Sequence, residues 1–364
     1  MTILLALAFA CADPPVDDSA APPFAPDAPG PWAGGTEAFT APGPDGIELT
    51  VQLWFPASEV DDRPYRYDDL VDAGVGDDGV PDCAEPRPVV LFSHGNGGVR
   101  YQSWFFTEHL ATHGYLVAAP DHVGNTFFDA SASHDELILR RPADIAATFD
   151  ALVARSADPA DPLYGCVDPA AGYAMAGHSF GGYTTLAVAG AVADAAASAA
   201  YCATDGGWLC ENLAAWAAEH PDERAPALAD DRAWAALPMS PAGYEVLVGG
   251  LGDLGLPTMI LSGHLDDLTP WETGVRPIYE GLSTTPRYLV GVIETGHYAF
   301  SDACELLPTY PDCSEPGYVD PAVVHAHVNR LATAFLAHVQ GDPRAAAWLV
   351  GDGEVELTFE AVDQ

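Results

Sequence analysis

The chain contains no lysine, and its thirteen basic residues are all arginine. Against them stand 53 acidic residues, which give a formal charge of −40 at pH 7. A surface this negative repels the phosphate backbone of nucleic acids and the headgroups of anionic lipids. The charge therefore argues against nucleic acid as a partner and against direct binding to an anionic membrane.

Two further features are missing from the 364 residues. After the first residues, no run of apolar residues is long enough to cross a bilayer as a helix. The cysteines form no Cys-x-x-Cys pair and have no histidine spacing that would indicate a zinc site. We expect no metal and no organic cofactor, and we expect the protein to act as a monomer.

The N-terminus has the pattern of an export signal. A short apolar stretch, 3–10, ends at Cys11 and is too short to span a membrane. Residues 12–35 are rich in proline, alanine and aspartate, a composition typical of a flexible tether. The pattern resembles a bacterial lipoprotein signal with Cys11 as the lipidated residue, although no basic residue precedes it and Ala8 stands where leucine is usual. We expect an exported protein, either an outer-membrane or periplasmic lipoprotein or a secreted one, with a cytoplasmic location as the alternative.

The remaining cysteines agree with export. There are six of them, Cys83, Cys166, Cys202, Cys210, Cys304 and Cys313. An even number in an exported chain indicates three disulfides, and the spacing alone leaves their pairing open.

Short apolar runs alternate with segments of helical periodicity along most of the chain. The patterns predict eight strands, at 46–58, 87–95, 115–121, 172–179, 232–240, 256–264, 287–294 and 353–360, the last at a sheet edge. They predict long helices at 101–114, 141–155, 180–200 and 321–341, and a small helical insertion at 204–229. This alternation is typical of a parallel sheet with helices on both faces. We therefore expect one α/β domain over 36–364.

The stretch Gly177-His178-Ser179-Phe180-Gly181 joins a predicted strand to a predicted helix. A serine is raised above a sheet in this way only by a very tight turn, which leaves room for glycine alone two residues to either side. The serine then lies at a helix N-terminus, where N–H groups stabilise negative charge. The sequence thus predicts a nucleophile at Ser179, and the alternative is a glycine-rich connection that happens to contain a serine.

A second glycine-rich loop, 94–98, follows an earlier predicted strand. An oxyanion hole needs two N–H groups that face the nucleophile. The Phe180 amide lies next to the serine, and the Asn96 amide can approach it because the neighbouring residues are small. We predict these two amides as the oxyanion hole, with an ordinary glycine turn as the alternative for the loop.

A nucleophilic serine also needs a base and an orienting acid, which follow it along the chain in one large hydrolase fold. The histidines after the serine are His220, His264, His297, His325, His327 and His338. Of these, His297 follows the last well-formed strand in a glycine-preceded loop, as a catalytic histidine should. The acid lies in the loop after the preceding strand, where Asp266 is favoured and Asp267 is the alternative or a helix cap.

These motifs together resemble the α/β-hydrolase superfamily, in particular its bacterial platelet-activating-factor acetylhydrolase-like and dienelactone-hydrolase-like esterases. The resemblance rests on "VVLFSHGNGGVRYQSWFFTEHLATHGYLVAAPDHVGNT", "RPADIAATFDAL", "AGHSFGG", "LSGHLDDLTP" and "GHYAFSD", and covers about 36–340. It implies a mostly parallel eight-stranded sheet and ester hydrolysis without a metal. It also implies Ser179 as nucleophile, His297 as base and Asp266 as acid.

The chain departs from some members of that superfamily. Dienelactone hydrolases use cysteine where Ser179 stands. Some acetylhydrolases place the acid after the strand that matches 232–240, but no aspartate follows directly here, which supports Asp266. Cutinase-like polyesterases usually have methionine at the position of Phe180.

The resemblance also implies how the cysteines pair. In this fold the strand before the oxyanion loop and the strand before the nucleophile are neighbours. Cys83 and Cys166 precede these two strands, so the layout implies a disulfide between them. It leaves Cys202–Cys210 and Cys304–Cys313 as short local loops.

We expect a serine carboxylesterase that acts on short to medium acyl esters through an acyl-enzyme. The alternatives are a phospholipase-like acetylhydrolase, a polyester hydrolase, a peptidase or acyltransferase, and a non-catalytic binding protein of the same fold. Several residues near the motifs are candidates for the substrate pocket, and for each of them a packing role is the alternative. They are His94, Tyr101, Trp104, His122 and Trp271.

Overall fold

The computed structural model of the protein describes residues 24–61, 63–77, 79–211, 213, 228–350 and 357–362. The predicted signal segment with Cys11 lies outside these residues, as does most of the predicted insertion at 204–229.

A single mixed sheet forms the centre of the described chain. Its strands are β1 (Ala33–Pro42), β2 (Glu48–Glu59), β3 (Pro64–Tyr67), β4 (Val71–Gly76), β5 (Val80–Pro81), β6 (Val89–Ser93), β7 (Leu116–Pro120), β8 (Tyr173–His178), β9 (Ala233–Met239), β10 (Thr258–Gly263), β11 (Arg287–Val292) and β12 (Leu357–Val362). Their order is β12-β11-β10-β9-β8-β6-β7-β2-β1-β4-β3, with β5 paired to β2. The six strands from β7 to β11 in this order are parallel.

The α/β-hydrolase fold is confirmed, but the number of strands is not. The sheet has twelve strands rather than eight, because β1, β3, β4 and β5 extend it beyond β2. All eight predicted strands are present, and β12 lies at an edge as expected. The four additional strands have glycine-rich or very short sequences without a regular apolar alternation, so the pattern does not reveal them.

Helices cover both faces of the sheet. They are α1 (Trp104–Thr112), α2 (His134–Ala157), α3 (Phe180–Val188), α4 (Ala195–Thr204), α5 (Tyr244–Leu247), α6 (Arg276–Gly281), α7 (Ala303–Leu306), α8 (Pro311–Ser314) and α9 (Pro321–Val339). Short 3-10 turns lie at Pro44–Gly46, Leu251–Asp253, Tyr298–Phe300 and Ala345–Trp348, and a π-helical turn at Trp271–Val275.

Two predicted helices have different bounds in the structure. Helix α2 starts at His134, two turns before the predicted start, and runs through Pro142. Proline cannot donate to the carbonyl four residues earlier. That carbonyl, of Ile138, instead accepts the Tyr183 hydroxyl at 3.1 Å. The predicted helix 180–200 is two helices, because Gly190 takes a left-handed φ of 111° that ends α3.

Each face of the parallel sheet has its own core. Phe92 of β6 packs in a cluster with Phe106 of α1 and Phe335 of α9. Leu91, its neighbour on the strand, points to the other face and belongs to a cluster with Phe149 of α2. Because side chains alternate along a strand, each parallel strand is buried on both faces. This burial holds the carboxyl ends of the strands at one rigid edge.

Residues 24–32, part of the predicted tether, lie against the body of the protein. The backbone N–H of Trp32 donates to the carbonyl of Thr112 at 3.2 Å, and the Gly30 N–H donates to the Thr112 hydroxyl at 2.8 Å. Phe24 packs against the α1 and α9 core. Part of the predicted tether thus packs on the domain, and β1 begins at Ala33.

Three disulfides join Cys83 to Cys166, Cys202 to Cys210 and Cys304 to Cys313, the pairs that the resemblance implied. The first one ties together the amino ends of the neighbouring strands β6 and β8. Disulfides persist in oxidising compartments, so the three pairs indicate an exported protein. No helix within the described ranges is long and apolar enough to cross a bilayer.

Candidate active site

Ser179 lies on a strained turn between β8 and α3. Its backbone has φ 59° and ψ −118°, in the region that favours glycine. The turn is held by its neighbours, since the Ser179 N–H donates to the Met239 carbonyl at 2.9 Å and the Ala242 N–H donates to the Ser179 carbonyl at 3.0 Å. The side chain is partly exposed, so a substrate can reach it.

The two glycines of the motif are required by close backbone approach. A Cβ on Gly181 would lie 1.8 Å from the carbonyl oxygen of Ser93, at the end of β6. A Cβ on Gly177 would lie 2.4 Å from the Gly181 carbonyl oxygen. Neither neighbour can move independently, because both are backbone atoms. The glycines thus allow the nucleophile turn to pack directly on β6.

His297 and Asp266 form a buried pair at the same edge of the sheet. The Asp266 loop follows β10 and the His297 loop follows β11. His297 Nδ1 lies 2.7 Å from Asp266 Oδ2, and the two residues are 3% and 4% exposed. Burial alone would raise the pKa of Asp266, but the adjacent His297 and hydrogen bonds from Thr269 outweigh it and lower that pKa. Asp266 is therefore a carboxylate that faces Nδ1 of the imidazole.

Thr269 completes the acid loop and is not among the site residues predicted from the sequence. Its N–H donates to Asp266 Oδ1 at 2.7 Å and its hydroxyl to Oδ2 at 2.7 Å. The hydroxyl also lies 3.4 Å from His297 Nδ1. The signal was the aspartate followed three residues later by threonine, a spacing typical of a side-chain-capped turn. Asp267, the alternative acid, is exposed.

The loop after β6 carries the proposed oxyanion amide. A Cβ built on Gly95 would lie 3.3 Å from the Ser179 Cβ, so the loop passes close to the nucleophile. The Gly95 N–H is occupied by the Gln102 side chain at 2.9 Å. Within the described residues, the Asn96 and Phe180 N–H groups donate to no protein acceptor. Both amides are thus available to a developing oxyanion.

The Asn96 side chain is fixed from two sides. Its Oδ1 accepts the Asn125 side chain at 2.8 Å and lies 3.1 Å from His134 Nε2. His134 in turn packs edge-on against Trp208 at 4.7 Å between ring centroids. These contacts hold the oxyanion loop from the side of α2.

Two of the predicted pocket residues, His94 and His122, are fully buried beneath the oxyanion loop. His122 lies 2.8 Å from Asp144 Oδ2 and 2.9 Å from the Ser93 hydroxyl, while its N–H donates to His94 Nε2 at 3.1 Å. Burial, followed by the nearby Arg141 charge, lowers the pKa of His94 to about 3 and lowers that of His122 as well. Both rings are neutral structural groups rather than pocket-lining ones.

Arg141 occupies the centre of this buried polar group. Its guanidinium donates to the His94 carbonyl, and to the Ser93 hydroxyl at 3.1 Å. It also lies 4.7 Å from the centroid of the Phe180 ring. A single buried cation thus contacts the segment before Asn96 and the ring of Phe180.

Of the other predicted pocket residues, Tyr101 and Trp271 are buried and Trp104 is partly buried. Tyr101 is 1% exposed and stacks on Tyr67 with ring centroids 4.9 Å apart. Trp104 packs against the α1 core, and Trp271 is buried against the ring of His264. Aromatic residues near a motif in sequence thus pack inward here.

The surface around the site is apolar because of exposed residues other than the predicted pocket residues. Phe127 and Phe128 are two-thirds exposed and follow a strand-like contact with the oxyanion loop, where the Phe127 N–H donates to the Gly98 carbonyl. Leu268 is exposed next to the acid, and Trp208 packs edge-on against Phe180. A cavity of about 410 Å³ opens beside the acid loop, lined in part by Trp208, Ala242, Tyr244, Leu268 and Thr269.

The described residues contain no group of three or more His, Cys, Asp or Glu side chains that could hold a metal ion.

Comparison with known protein families gives a match over a short segment of the chain. The family model described as platelet-activating factor acetylhydrolase, isoform II, matches residues 78–143. This segment contains β6, the oxyanion loop, α1, β7 and the first part of α2, whereas Ser179, Asp266 and His297 lie outside it. No curated protein matches the chain. The match and the fold support a hydrolase of the esterase type.

Proposed function

We propose that the protein is a serine carboxylic-ester hydrolase that works through an acyl-enzyme. The observation that carries the proposal is the convergence of three elements at one edge of the sheet. They are a strained, partly exposed serine, a buried histidine–carboxylate pair with an N···O distance of 2.7 Å, and two unoccupied backbone amides. Serine esterases use these parts in these roles.

In the first half-reaction, Ser179 Oγ attacks the ester carbonyl carbon while its proton passes to His297 Nε2. The carbonyl oxygen becomes an oxyanion and accepts hydrogen bonds from the Asn96 and Phe180 amides. The Asp266 carboxylate stabilises the imidazolium through Nδ1. The tetrahedral intermediate then collapses, the C–O bond to the alcohol breaks, and His297 gives its proton to the leaving oxygen.

In the second half-reaction, water takes the place of the alcohol. His297 accepts a proton from the water as its oxygen attacks the acyl carbon. The same two amides stabilise the second oxyanion. Collapse of this intermediate breaks the bond to Ser179 Oγ, which regains its proton from His297, and the carboxylic acid leaves.

The surroundings of the site favour an apolar ester. Phe127, Phe128 and Leu268 give the rim an apolar surface, and the adjoining cavity of about 410 Å³ is shared by apolar and polar groups. We propose short to medium acyl esters as substrates, because this cavity lies at the lower end of the range of small-molecule pockets.

A second candidate is an acetylhydrolase that acts on phospholipid-like esters. The match over 78–143 favours it, since that family is named for hydrolysis of an acetyl ester of this kind. The two candidates share the same chemistry at Ser179 and differ only in the alcohol part of the ester.

Labelling with a fluorophosphonate probe tests the proposed chemistry. We expect the wild-type protein to be labelled and Ser179→Ala to remain unlabelled. Ser198→Ala is the matched control, because Ser198 of α4 is buried and donates to the Val246 carbonyl of α5. Absence of labelling in the folded wild-type protein would contradict the proposal and favour a binding protein of the same fold.

A substrate series separates the two candidates. We expect p-nitrophenyl acetate and butyrate to be hydrolysed faster than the dodecanoate if the enzyme prefers short acyl groups. A phospholipid with an acetyl group at the second glycerol position tests the acetylhydrolase candidate, and polyester particles test the polyesterase alternative. Preference for the acetylated phospholipid over p-nitrophenyl acetate in kcat/KM would select the acetylhydrolase.

We also propose that the chain is exported and anchored by a lipid on Cys11. The three disulfides support export, and the apolar stretch before Cys11 supports the anchor. Mass spectrometry of the protein purified from membranes tests this. We expect a diacylglyceryl group on the residue-11 cysteine, and Cys11→Ala should release the protein from the membrane fraction.

A further inference from the structure

Gln102 lies in the turn between the oxyanion loop and α1, and its side chain is 8% exposed. Its Oε1 accepts the Gly95 N–H at 2.9 Å. Its Nε2 lies 2.9 Å from Nδ1 of His178, the residue directly before the nucleophile. His178 Nε2 lies 3.0 Å from the carbonyl oxygen of His297. One buried hydrogen-bonded chain thus runs from the oxyanion loop through the nucleophile strand to the loop of the proposed base.

The ends of this chain determine the direction of every hydrogen bond in it. The His297 carbonyl can only accept, so His178 Nε2 carries a proton and donates. Burial, followed by the neighbouring His297, lowers the pKa of His178 to about 3, so its other nitrogen is an acceptor at neutral pH. Gln102 must therefore donate through Nε2, which leaves Oε1 for the Gly95 N–H. No alternative arrangement of protons satisfies both ends.

The carboxamide of Gln102 also shapes the oxyanion loop sterically. The loop turns around it so tightly that a Cβ on Gly98 would lie 2.2 Å from Oε1. Because the Gly95 N–H is bound to Gln102, it is not available to an oxyanion, and the Asn96 N–H is the first unoccupied amide along the loop. The position of this side chain thus removes Gly95 as an oxyanion donor.

At its other end this hydrogen-bonded chain binds the backbone carbonyl of His297, the proposed base. The rings of His178 and His297 lie with centroids 4.6 Å apart, and the hydrogen bond to the His297 carbonyl ties that residue to the neighbour of Ser179. The oxyanion loop, through Gln102, and the base loop are therefore both hydrogen-bonded to His178, the residue before Ser179.

We propose that Gln102 and His178 are positioning residues for the hydrolysis proposed above, on which this inference rests. They hold the Asn96 amide and the His297 imidazole at fixed positions relative to Ser179. Neither side chain touches the reacting atoms. Their removal should lower kcat, because the transition-state contacts lose their alignment, and should leave KM nearly unchanged.

The first test replaces the amide by an apolar group of similar length. We expect Gln102→Met to lower kcat for p-nitrophenyl acetate by about 30- to 100-fold, as misplacement of catalytic groups by about 1 Å does in other enzymes. KM should change by less than about twofold. Gln52→Met is the matched control, because Gln52 is also buried and bonds the Thr36 hydroxyl on β1, far from the site.

The second test changes the proton pattern of the chain. In Gln102→Glu the carboxylate still accepts the Gly95 N–H but offers His178 Nδ1 no donor, so His178 gains a proton to restore the contact. The titratable groups near His178 are the His297 imidazole and the Asp266 carboxyl group. We expect the pH profile of kcat to acquire an additional ionisation that is absent from Gln102→Met, and ¹⁵N NMR of the histidines to show a doubly protonated His178.

The outcomes separate this inference from the proposed function. If the wild-type protein does not react with fluorophosphonate, the proposed function fails. If the wild type reacts and folded Gln102→Met reacts at the same rate with unchanged kcat, the positioning role is wrong while the function stands. Should Gln102→Met not fold, the wild type itself provides the test. A His178 that titrates near neutral pH, or that carries its proton on Nδ1, would contradict the chain as described.

Discussion

Asp266, the proposed orienting acid, gives the most specific prediction about activity. Asp266 Oδ1 accepts two backbone N–H groups, from Leu268 at 3.0 Å and Thr269 at 2.7 Å, while Oδ2 faces His297 Nδ1 at 2.7 Å. In Asp266→Asn the single oxygen must serve the two backbone donors, so the NH₂ group faces His297. The imidazole then presents its lone pair at Nδ1 and carries its proton on Nε2, where it cannot accept the proton of Ser179.

This tautomer change determines how far kcat should fall. The corresponding substitution in a well-studied serine protease triad lowers kcat by about 10⁴-fold, which equals about 5.5 kcal/mol of transition-state stabilisation. We expect a loss of about 10³- to 10⁴-fold in kcat for Asp266→Asn, with KM little changed. The assay is steady-state hydrolysis of p-nitrophenyl acetate, with thermal unfolding to confirm that the variant is folded.

Asp267→Asn is the matched control, because it removes the same charge one residue away from an exposed position. It should retain activity within about twofold, since surface charges contribute little at this distance. The reasoning is refuted if folded Asp266→Asn stays within tenfold of wild type, or if Asp267→Asn loses as much activity.

Three further predictions concern the fold that carries the site. Gly181→Ala should abolish activity and destabilise the protein by about 3 kcal/mol or more, because the new methyl meets the Ser93 carbonyl oxygen. Replacing Cys83 and Cys166 by alanine should lower the free energy of unfolding by about 4.5 kcal/mol in denaturant titrations, because this bridge closes a separation of 83 residues. Glu108 accepts the Tyr67 hydroxyl in a largely buried position, and burial raises its pKa to about 7, so the free energy of unfolding should fall as pH rises through 7.

Each of these three predictions has a control variant or a result that would contradict it. Gly255→Ala adds a methyl where no atom lies within 4 Å and should be tolerated. Removal of Cys304–Cys313, with a separation of 9, should lower the free energy of unfolding by only about 2.5 kcal/mol, and an equal or larger loss would contradict the loop-length argument. In Glu108→Gln the fall in the free energy of unfolding between pH 5 and pH 9 should be smaller than in wild type by about 2–3 kcal/mol, and an identical pH dependence would contradict the assignment.

The parallel part of the fold was predictable because each of its strands is a short apolar run buried on both faces. The segments that follow these strands were predictable for the same reason. Gly95, Ser179, Asp266 and His297 all follow strands whose carboxyl ends must meet at one edge. The order of motifs along the chain therefore placed the candidate site before any distance was known.

The features that were missed depend on contacts between distant segments. Gln102 lies 76 residues before its partner His178, and no local pattern indicates that contact. The start of α2 was predicted too late because Pro142 normally marks a first turn, whereas here Tyr183 satisfies the carbonyl that the proline leaves free. The aromatic residues near the motifs were assigned to the pocket because sequence proximity does not reveal which way a side chain points.

The backbone of Ser179 has a consequence for the evolution of the protein. Glycine adopts its φ of 59° without strain, whereas a residue with a side chain has a conformational energy there that is higher by about 1–3 kcal/mol. Ser179→Gly should therefore unfold at a higher temperature than Ser179→Ala, and at a higher temperature than the wild type. Selection for thermal stability alone would favour glycine at position 179. A serine is retained at this strained position only if its reactivity is selected. The backbone strain at Ser179 is therefore the cost of the proposed function.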